Sequence, residues 1–475
     1  MSACYRAFLS RRAFLAASGA AAAVSVLRPW RAPAGASADF RLVAGPGRTH
    51  LVGATYPETA VWSYNGTVPG PEIRVRQGQR LRIAVESQLA EETTVHWHGL
   101  RVPNPMDGVP HLTQPPIAPG ETFVYEFDVP DAGTYWYHPH QRSFEQVGRG
   151  LYGPLIVEER ERVQVDRDVT WVLDDWRLLP DARISDDFGN FMDKSHNGRI
   201  GNTVTVNGRI LETFAVRAGE RVRLRLINAA NARIFGLEFQ GHRPTVIALD
   251  GQPVEPHGPA GGRVVLGPAM RADLVIDMAG KPGERFTVAD TFYRGLEYRL
   301  LDLVYGDEPP LRPHPLDAPL RLAANTMPEP DLSAAERHEI EFGGGMMGAM
   351  ANGGGMMGGM MRAMQPSGIW SINGVSASDH VVKPFLALRR GRPVVLAMHN
   401  HTAWHHPMHL HGHSFRVIAR DGRPTSYREW QDTVLMAPHE SVEIAFVADN
   451  PGDWMFHCHI LEHQAAGMMG VIRVT

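Results

Sequence analysis

His457-Cys458-His459, with His463 five residues and Met468 ten residues beyond the thiol, brings a thiolate, imidazoles and a thioether into one short stretch. Soft sulfur beside imidazole is a copper environment. One Cys, two His and a weak axial Met is the ligand set of a blue electron-transfer copper. The two His flanking the Cys cannot reach the same ion from a strand, because successive side chains on a strand point to opposite faces. Cys458 is therefore expected to face one metal, and His457 and His459 a second site behind it. A thiolate joined through its neighbours to another metal is a redox relay, not a structural staple.

The rest of the chain supplies that second site. Three more His-x-His pairs occur: His96-Trp97-His98, His138-Pro139-His140 and His409-Leu410-His411. With His457 and His459 they make eight imidazoles in four pairs. His406, three residues before His409, is free to join Cys458, His463 and Met468. His405 lies beside it, but Pro407 sets the register on His406. His50, His196, His242, His257, His314, His338 and His380 lack pair spacing and read as ordinary, as do His399, His401 and His413.

Internal repeats set the frame that must position these residues. Trp62-Ser63-Tyr64-Asn65-Gly66, Val204-Thr205-Val206-Asn207-Gly208 and Trp370-Ser371-Ile372-Asn373-Gly374 each lead into a Gly-initiated run alternating apolar with polar residues. Asn-Gly and Gly are turn signals, and the alternation is that of half-buried strands. Three copies at this length predict three all-β sandwich domains, placed at 39–160, 161–307 and 330–475, with a Pro-rich linker before the third. His pairs occur in the first and third copies only. Where the third has Cys458, the first has Pro139. The mononuclear copper is thus expected in the third domain alone, and the eight-His cluster between the first and third. The middle domain reads as mostly a spacer.

Residues 1–38 read as an export leader. Ser10-Arg11-Arg12-Ala13-Phe14-Leu15 is a twin-arginine pattern, and the apolar run behind it is too short and Ala-rich for a good membrane span. Ala36-Ser37-Ala38 fits a small-x-small cleavage site. The pattern predicts passage through the twin-arginine translocon to the periplasm. No later segment is long and apolar enough to span a membrane, so no stable membrane insertion is expected. Cys4 leaves with the leader, so Cys458 has no disulfide partner, and a lone thiol in an oxidising compartment is unusual unless a metal holds it. The leader carries five Arg and no acid, so its loss takes the net charge from −4 to −9, which argues against a nucleic-acid partner.

Taken in order, His96-Trp97-His98-Gly99, Tyr135-Trp136-Tyr137-His138-Pro139-His140, His406-Pro407-Met408-His409-Leu410-His411-Gly412 and His457-Cys458-His459-Ile460-Leu461-Glu462-His463 through Met468 resemble the motifs of three-domain bacterial multicopper oxidases, the family of laccases and cuprous oxidases. The resemblance spans the chain beyond the leader. It implies three cupredoxin-like Greek-key sandwiches and four copper ions. The type 1 copper would take His406, Cys458, His463 and axial Met468. The type 2 copper would take His96 and His409. The type 3 pair would take His98, His138, His140, His411, His457 and His459. It further implies one-electron oxidation of a reductant at type 1, passage of electrons through Cys458 and its flanking His, and reduction of O2 to water. Asp107, nine residues after His98, matches the family's acid on the type 2 side and would supply protons; it also fits a turn residue before Gly108. A second relay Glu that many bacterial relatives carry after the last type 1 His is Gln464 here.

Other chemistries fit less of the chain. His459-Ile460-Leu461-Glu462-His463 matches the His-x-x-Glu-His zinc-peptidase pattern, which leaves Cys458 and the other pairs unexplained. A copper-binding or sequestering protein is the non-enzyme alternative. For the reductant, Met346, Met347, Met350, Met356, Met357, Met360, Met361 and Met364 stand among glycines. Such a run forms no stable helix, and thioethers select Cu(I). Its placement resembles the Met-rich insert of bacterial cuprous oxidases, so Cu(I) is the leading reductant and small phenols or aromatic amines the alternative. Those enzymes carry an acid and a Met four and two residues before the type 1 His, where this chain has Thr402 and Trp404.

Overall fold

Each repeat opens on the same hairpin. Asn65-Gly66, Asn207-Gly208 and Asn373-Gly374 all adopt positive φ at both residues (55° and 78°, 52° and 71°, 50° and 74°). That is the two-residue turn whose twist matches flanking strands. In every copy the Asn side-chain oxygen accepts a bond from the copy's first strand: from Val43 N at 2.6 Å, Val172 N at 2.8 Å and Glu341 N at 2.8 Å. A residue that reads as turn punctuation therefore also ties the hairpin down.

The computed structural model describes residues 38–312, 316, 320–346, 368–377 and 383–475. In each copy that first strand then runs parallel to a later one: Phe40–Thr49 with Arg80–Ser87, Arg167–Trp176 with Arg221–Asn228, and Glu336–Gly344 with Pro393–Asn400. Six sheets result, two per repeat. Their strands come from 40–158, 167–305 and 336–474, giving three β-sandwiches. Each has its own apolar core, around Trp97 and Tyr125, around Leu226 and Phe235, and around Phe415 and Trp454. A further apolar cluster joins Trp136 of the first, Trp176 and Ile227 of the middle and Leu461 of the third. Among the described residues no helix is long and apolar enough to cross a membrane. Residues 1–37 of the leader and seven of the eight Met of the run, Met347 to Met364, lie outside the described residues.

Polar groups are also buried between the first and middle sandwiches. Tyr152 donates to Asp174 Oδ2 at 2.5 Å, and Asp175 N donates to its Oδ1 at 2.7 Å. Burial pushes the Asp174 carboxyl well above the usual range, and the neighbouring Asp175 adds to the rise. The folded chain thus keeps a proton that the unfolded chain loses near pH 4. The stability this confers is present below that pH and is lost as pH rises toward the folded value. Asp174→Asn should remove the slope and raise the unfolding midpoint of the metal-free protein at pH 7 by about 2 °C, with little gain at pH 4. Calorimetry at the two pH values checks it; a lower midpoint at pH 7 would mean an ionised Asp174 is built into the fold.

Candidate metal centre

Four backbone segments meet where the first and third sandwiches face each other. Strand His96–His98 pairs with Gly133–His138, setting His96 opposite His138. Strand His406–Leu410 pairs with Gly452–Cys458, setting His409 opposite His457 and Met408 opposite Cys458. Strand alternation does what the spacing predicts: Trp97, Met408 and Leu410 enter the apolar cores while their His neighbours point the other way.

The imidazoles converge in groups. His96, His98 and His409; His98, His138 and His459; and His140, His411 and His457 each bring ligand-capable atoms within 4.8 Å of one another. His406, Cys458 and His463 form a separate group of the same size. There Cys458 Sγ lies 3.5 Å from His406 Nδ1 and 3.8 Å from His463 Nδ1. Met468 is fully buried in the same core as Cys458 and accepts the Cys458 N–H on its backbone oxygen at 3.0 Å. Cys458 thus faces one group while His457 and His459 belong to two others.

Carbonyls and carboxylates fix how the rings are turned. Nδ1–H donates to Asp107 O from His96 (2.7 Å), to Asp432 O from His409 (2.8 Å), to Pro139 O from His138 (3.1 Å) and to Cys458 O from His457 (3.0 Å). His411 Nδ1–H donates to Asp107 Oδ2 at 2.8 Å. Each bond leaves an Nε2 lone pair for the interior, the second-layer support that metal-binding His needs. His406 and His463 are reversed: Nδ1 faces inward, 3.2 Å apart.

Two features test whether metal belongs here. The Nε2 atoms of His96, His140 and His409 and both ring nitrogens of His459 are buried without a hydrogen-bond partner. Leaving buried polar atoms unpaired is costly, and a cation shared among converging lone pairs satisfies them together. Burial, reinforced by neighbouring imidazoles, also holds His98, His138, His140, His411, His457 and His459 well below the usual His range, so these rings are neutral donors at physiological pH. Burial pushes the Cys458 thiol far up; a cation beside it is what would yield a thiolate. The donor set fits copper at every group.

The middle sandwich is more than a spacer, a correction to the sequence reading. Its buried Arg271 forks onto Asp432, Nη1 to Oδ1 at 2.8 Å and Nη2 to Oδ2 at 2.6 Å. Asp432 Oδ1 in turn accepts from His98 Nε2 at 3.2 Å and from Thr433 Oγ1 at 2.8 Å. Asp250 accepts from the backbone N–H of Arg271, Asp432 and Thr433. Burial opposes a charge on Asp432, but the guanidinium outweighs it and holds that carboxyl below its usual range. Gly99, with φ 87°, explains the glycine of the first His motif: a Cβ there would lie 2.2 Å from Arg271 Nη2 and 2.5 Å from Asp432 Oδ2.

Arg271, Asp250 and Asp432 were missed in the sequence because nothing in a single chain marks them: Arg271 is one of three charges in its strand, and Asp250 and Asp432 stand at a turn and a bend between strands. Asp107 is fully buried against His96 and His411; its Oδ1 accepts no hydrogen bond and lies 3.3 Å from His96 Nδ1. Gln464 Nε2 lies 3.4 Å from His140 Nδ1, on a cavity of about 340 Å³ whose lining includes Ser143, Val109, Leu112 and Met455. Glu462 accepts from Arg199 N at 3.0 Å and Asn231 Nδ2 at 2.9 Å. It fastens the helix Leu461–Ala465 to the middle sandwich and cannot serve as the base of a zinc peptidase. His405 turns away, edge-on to Phe292.

Comparisons with known proteins agree over most of the chain. Family profiles described as multicopper oxidase match residues 48–162, 167–298 and 356–475. Multicopper oxidase MmcO of Mycobacterium tuberculosis is 32% identical over 491 residues, covering 95% of this chain and 90% of that protein. Copper resistance protein A homolog of Pseudomonas syringae pv. tomato is 26% identical and covers 98% of this chain and 99% of its own. A crystal structure of a multi-copper oxidase from Pseudomonas parafulva superposes with a TM-score of 0.79 at 37% identity, covering 92% of this chain and 100% of the other. Three cupredoxin-like sandwiches, the first and third enclosing groups of converging imidazoles, and family matches to each of the three place this chain in the multicopper oxidase family of copper-dependent oxidoreductases.

Proposed function

We propose that the chain is a periplasmic, twin-arginine-exported cuprous oxidase that contributes to copper tolerance. In this reading His406, Cys458, His463 and axial Met468 hold the type 1 copper, His96 and His409 the type 2 copper, and His98, His138, His140, His411, His457 and His459 the type 3 pair. The observation that carries it is the set of unpaired, buried, inward-facing imidazole nitrogens lying directly behind Cys458. Bound there, copper would supply one-electron oxidation of the reductant at the Cys458 centre and four-electron reduction of O2 to water at the eight-His cluster.

The protein's own contribution is positional and protic. The peptide from Cys458 into His457 and His459 joins the two centres covalently. Asp107 holds His96 and His411 and leaves its Oδ1 beside His96 without a hydrogen bond, from where the carboxylate would deliver protons. The cavity beside His140 and Gln464 is the route from solvent for O2. Its lining contains no carboxylate, so Asp107 carries the proton load.

Cu(I) is favoured as reductant by where the Met run begins. Met346 N donates to Ser195 O at 3.2 Å, one residue from the carbonyl that touches His463. The name of the copper resistance relative points the same way. Deleting 346–364 should lower Cu(I) turnover and leave oxidation of 2,6-dimethoxyphenol equal or faster. Steady-state oxygen uptake on each reductant checks this. A wild-type enzyme that turns over the phenol but not Cu(I) would make it a laccase. Bound copper with no turnover on either would make it a sequestering protein.

A further inference from the structure

Resting on the reading of the Cys458 group as the point of electron entry, we infer that a strap of the middle sandwich, residues 185–199, caps that centre and is a specificity determinant against organic reductants. The outward nitrogen of each type 1 imidazole is already engaged. His463 Nε2–H donates to the backbone oxygen of His196 at 2.5 Å. His406 Nε2–H donates to Thr402 Oγ1 at 2.8 Å, and that hydroxyl donates onward to Asn400 Oδ1 at 2.8 Å. Both rings are fully buried, as is Thr402. Trp370 covers a face of His463 at 4.2 Å and anchors the strap by donating from Nε1 to Lys194 O at 2.6 Å. A phenol therefore has no ligand edge to hydrogen-bond, and its electron must cross the strap.

The strap is built to stay. Arg177 bridges Asp187 and Asp193, and Arg199 bridges Asp187 from the far end. Glu462, beside His463, accepts the Arg199 N–H. At Gly198, φ 79°, the backbone runs so close that a Cβ would lie 2.5 Å from Ile460 and 2.6 Å from Ala232. Outside, the strap offers a soft and aromatic surface. Met192 is 57% exposed. The His196 ring stands edge-on to Trp404 at 5.4 Å, and Met346 is bonded to Ser195. Imidazole and thioether donors carried by the strap and by the segment bonded to it suit a soft monovalent cation better than a phenol, so the surface that excludes organics is the one where Cu(I) would dock.

Gly198→Ala tests the cap, because its methyl must lift the strap from the helix that carries His463. The first readout needs no metal. In the copper-free wild-type protein, diethyl pyrocarbonate should modify exposed His50 while sparing His463; in Gly198→Ala both should react. In the copper-loaded variant with its blue band intact, kcat/KM for 2,6-dimethoxyphenol should rise about tenfold or more, because placement of the reacting partner is typically worth that much, while Cu(I) turnover does not rise. Should Gly198→Ala fail to fold, Asp187→Ala loosens the same strap from its outer ion pairs and should shift both readouts the same way. Modification of wild-type His463 as fast as His50, or an unchanged phenol rate in a blue variant with a reactive His463, overturns the cap. Absence of a blue band in loaded wild type overturns the assignment of the centre instead, which keeps the two failures apart.

Discussion

Cys458→Ser should give a folded, colourless protein that retains most of the copper of the eight-His cluster and oxidises no reductant faster than the metal-free chain does. The expectation follows from position. Cys458 is buried in the third core, 3.5 Å and 3.8 Å from the inner nitrogens of His406 and His463, and it is the only cysteine among the described residues. A serine is nearly isosteric, so the core that holds Trp454 and Phe456 should close around it. A hydroxyl, however, lacks the soft polarizable sulfur that holds a blue site. The cluster ligands hang on backbone carbonyls, Asp107 O, Asp432 O, Pro139 O and Cys458 O, and a serine at 458 keeps the last of these while changing only the side chain. Copper content should therefore fall by about one ion of four, with the type 2 electron paramagnetic resonance signal kept. Visible absorption, metal analysis and oxygen uptake on one preparation decide it. A colourless variant that still consumes oxygen with reductant would break the proposed path from Cys458 into His457 and His459.

The candidate metal ligands were legible because their chemistry forces a rare composition. Imidazoles at i and i+2 on a strand share a face, and a thiolate between two of them faces the other way; this holds whatever the rest of the fold does. The hairpins were legible because Asn-Gly has few other uses between alternating strands. What the sequence hid is whatever depends on a partner far along the chain. Arg271 reads as one charge among several in a strand, and only the packing of all three sandwiches brings it past Gly99 onto Asp432 and so to His98. His196 read as an ordinary histidine, and its side chain is half-buried at the surface; its importance lies in its backbone oxygen, which side-chain chemistry cannot reveal. The spacer reading of the middle repeat failed for the same reason. A domain without ligands can still hold the second layer on one side of a metal cluster and the cap on the other.

Asp107→Asn should leave reduction by substrate normal and slow reoxidation by oxygen by about 10²–10⁴-fold, the usual worth of a positioned acid in a proton-coupled step. The amide keeps the shape. Asp107 O still accepts from His96 Nδ1, and an amide oxygen can still accept from His411 Nδ1, so the cluster should fill with copper as before. What disappears is an ionisable carboxylate beside His96; its Oδ1 makes no hydrogen bond and can take up and release a proton. Gln464 cannot replace it: its amide sits 3.4 Å from His140 Nδ1 and 3.4 Å from Ser143 Oγ, where a carboxylate would complete a path from the cavity to the cluster. The defect should therefore be more severe here than in relatives with Glu at that position, and Gln464→Glu placed in the Asp107→Asn background should recover part of the lost rate. Stopped-flow mixing of the fully reduced proteins with oxygen measures both. A wild-type rate in the single variant would reduce Asp107 to a turn residue that orients His96 and His411. A slow single variant unrelieved by Gln464→Glu would mean that protons enter from the Asp107 side alone.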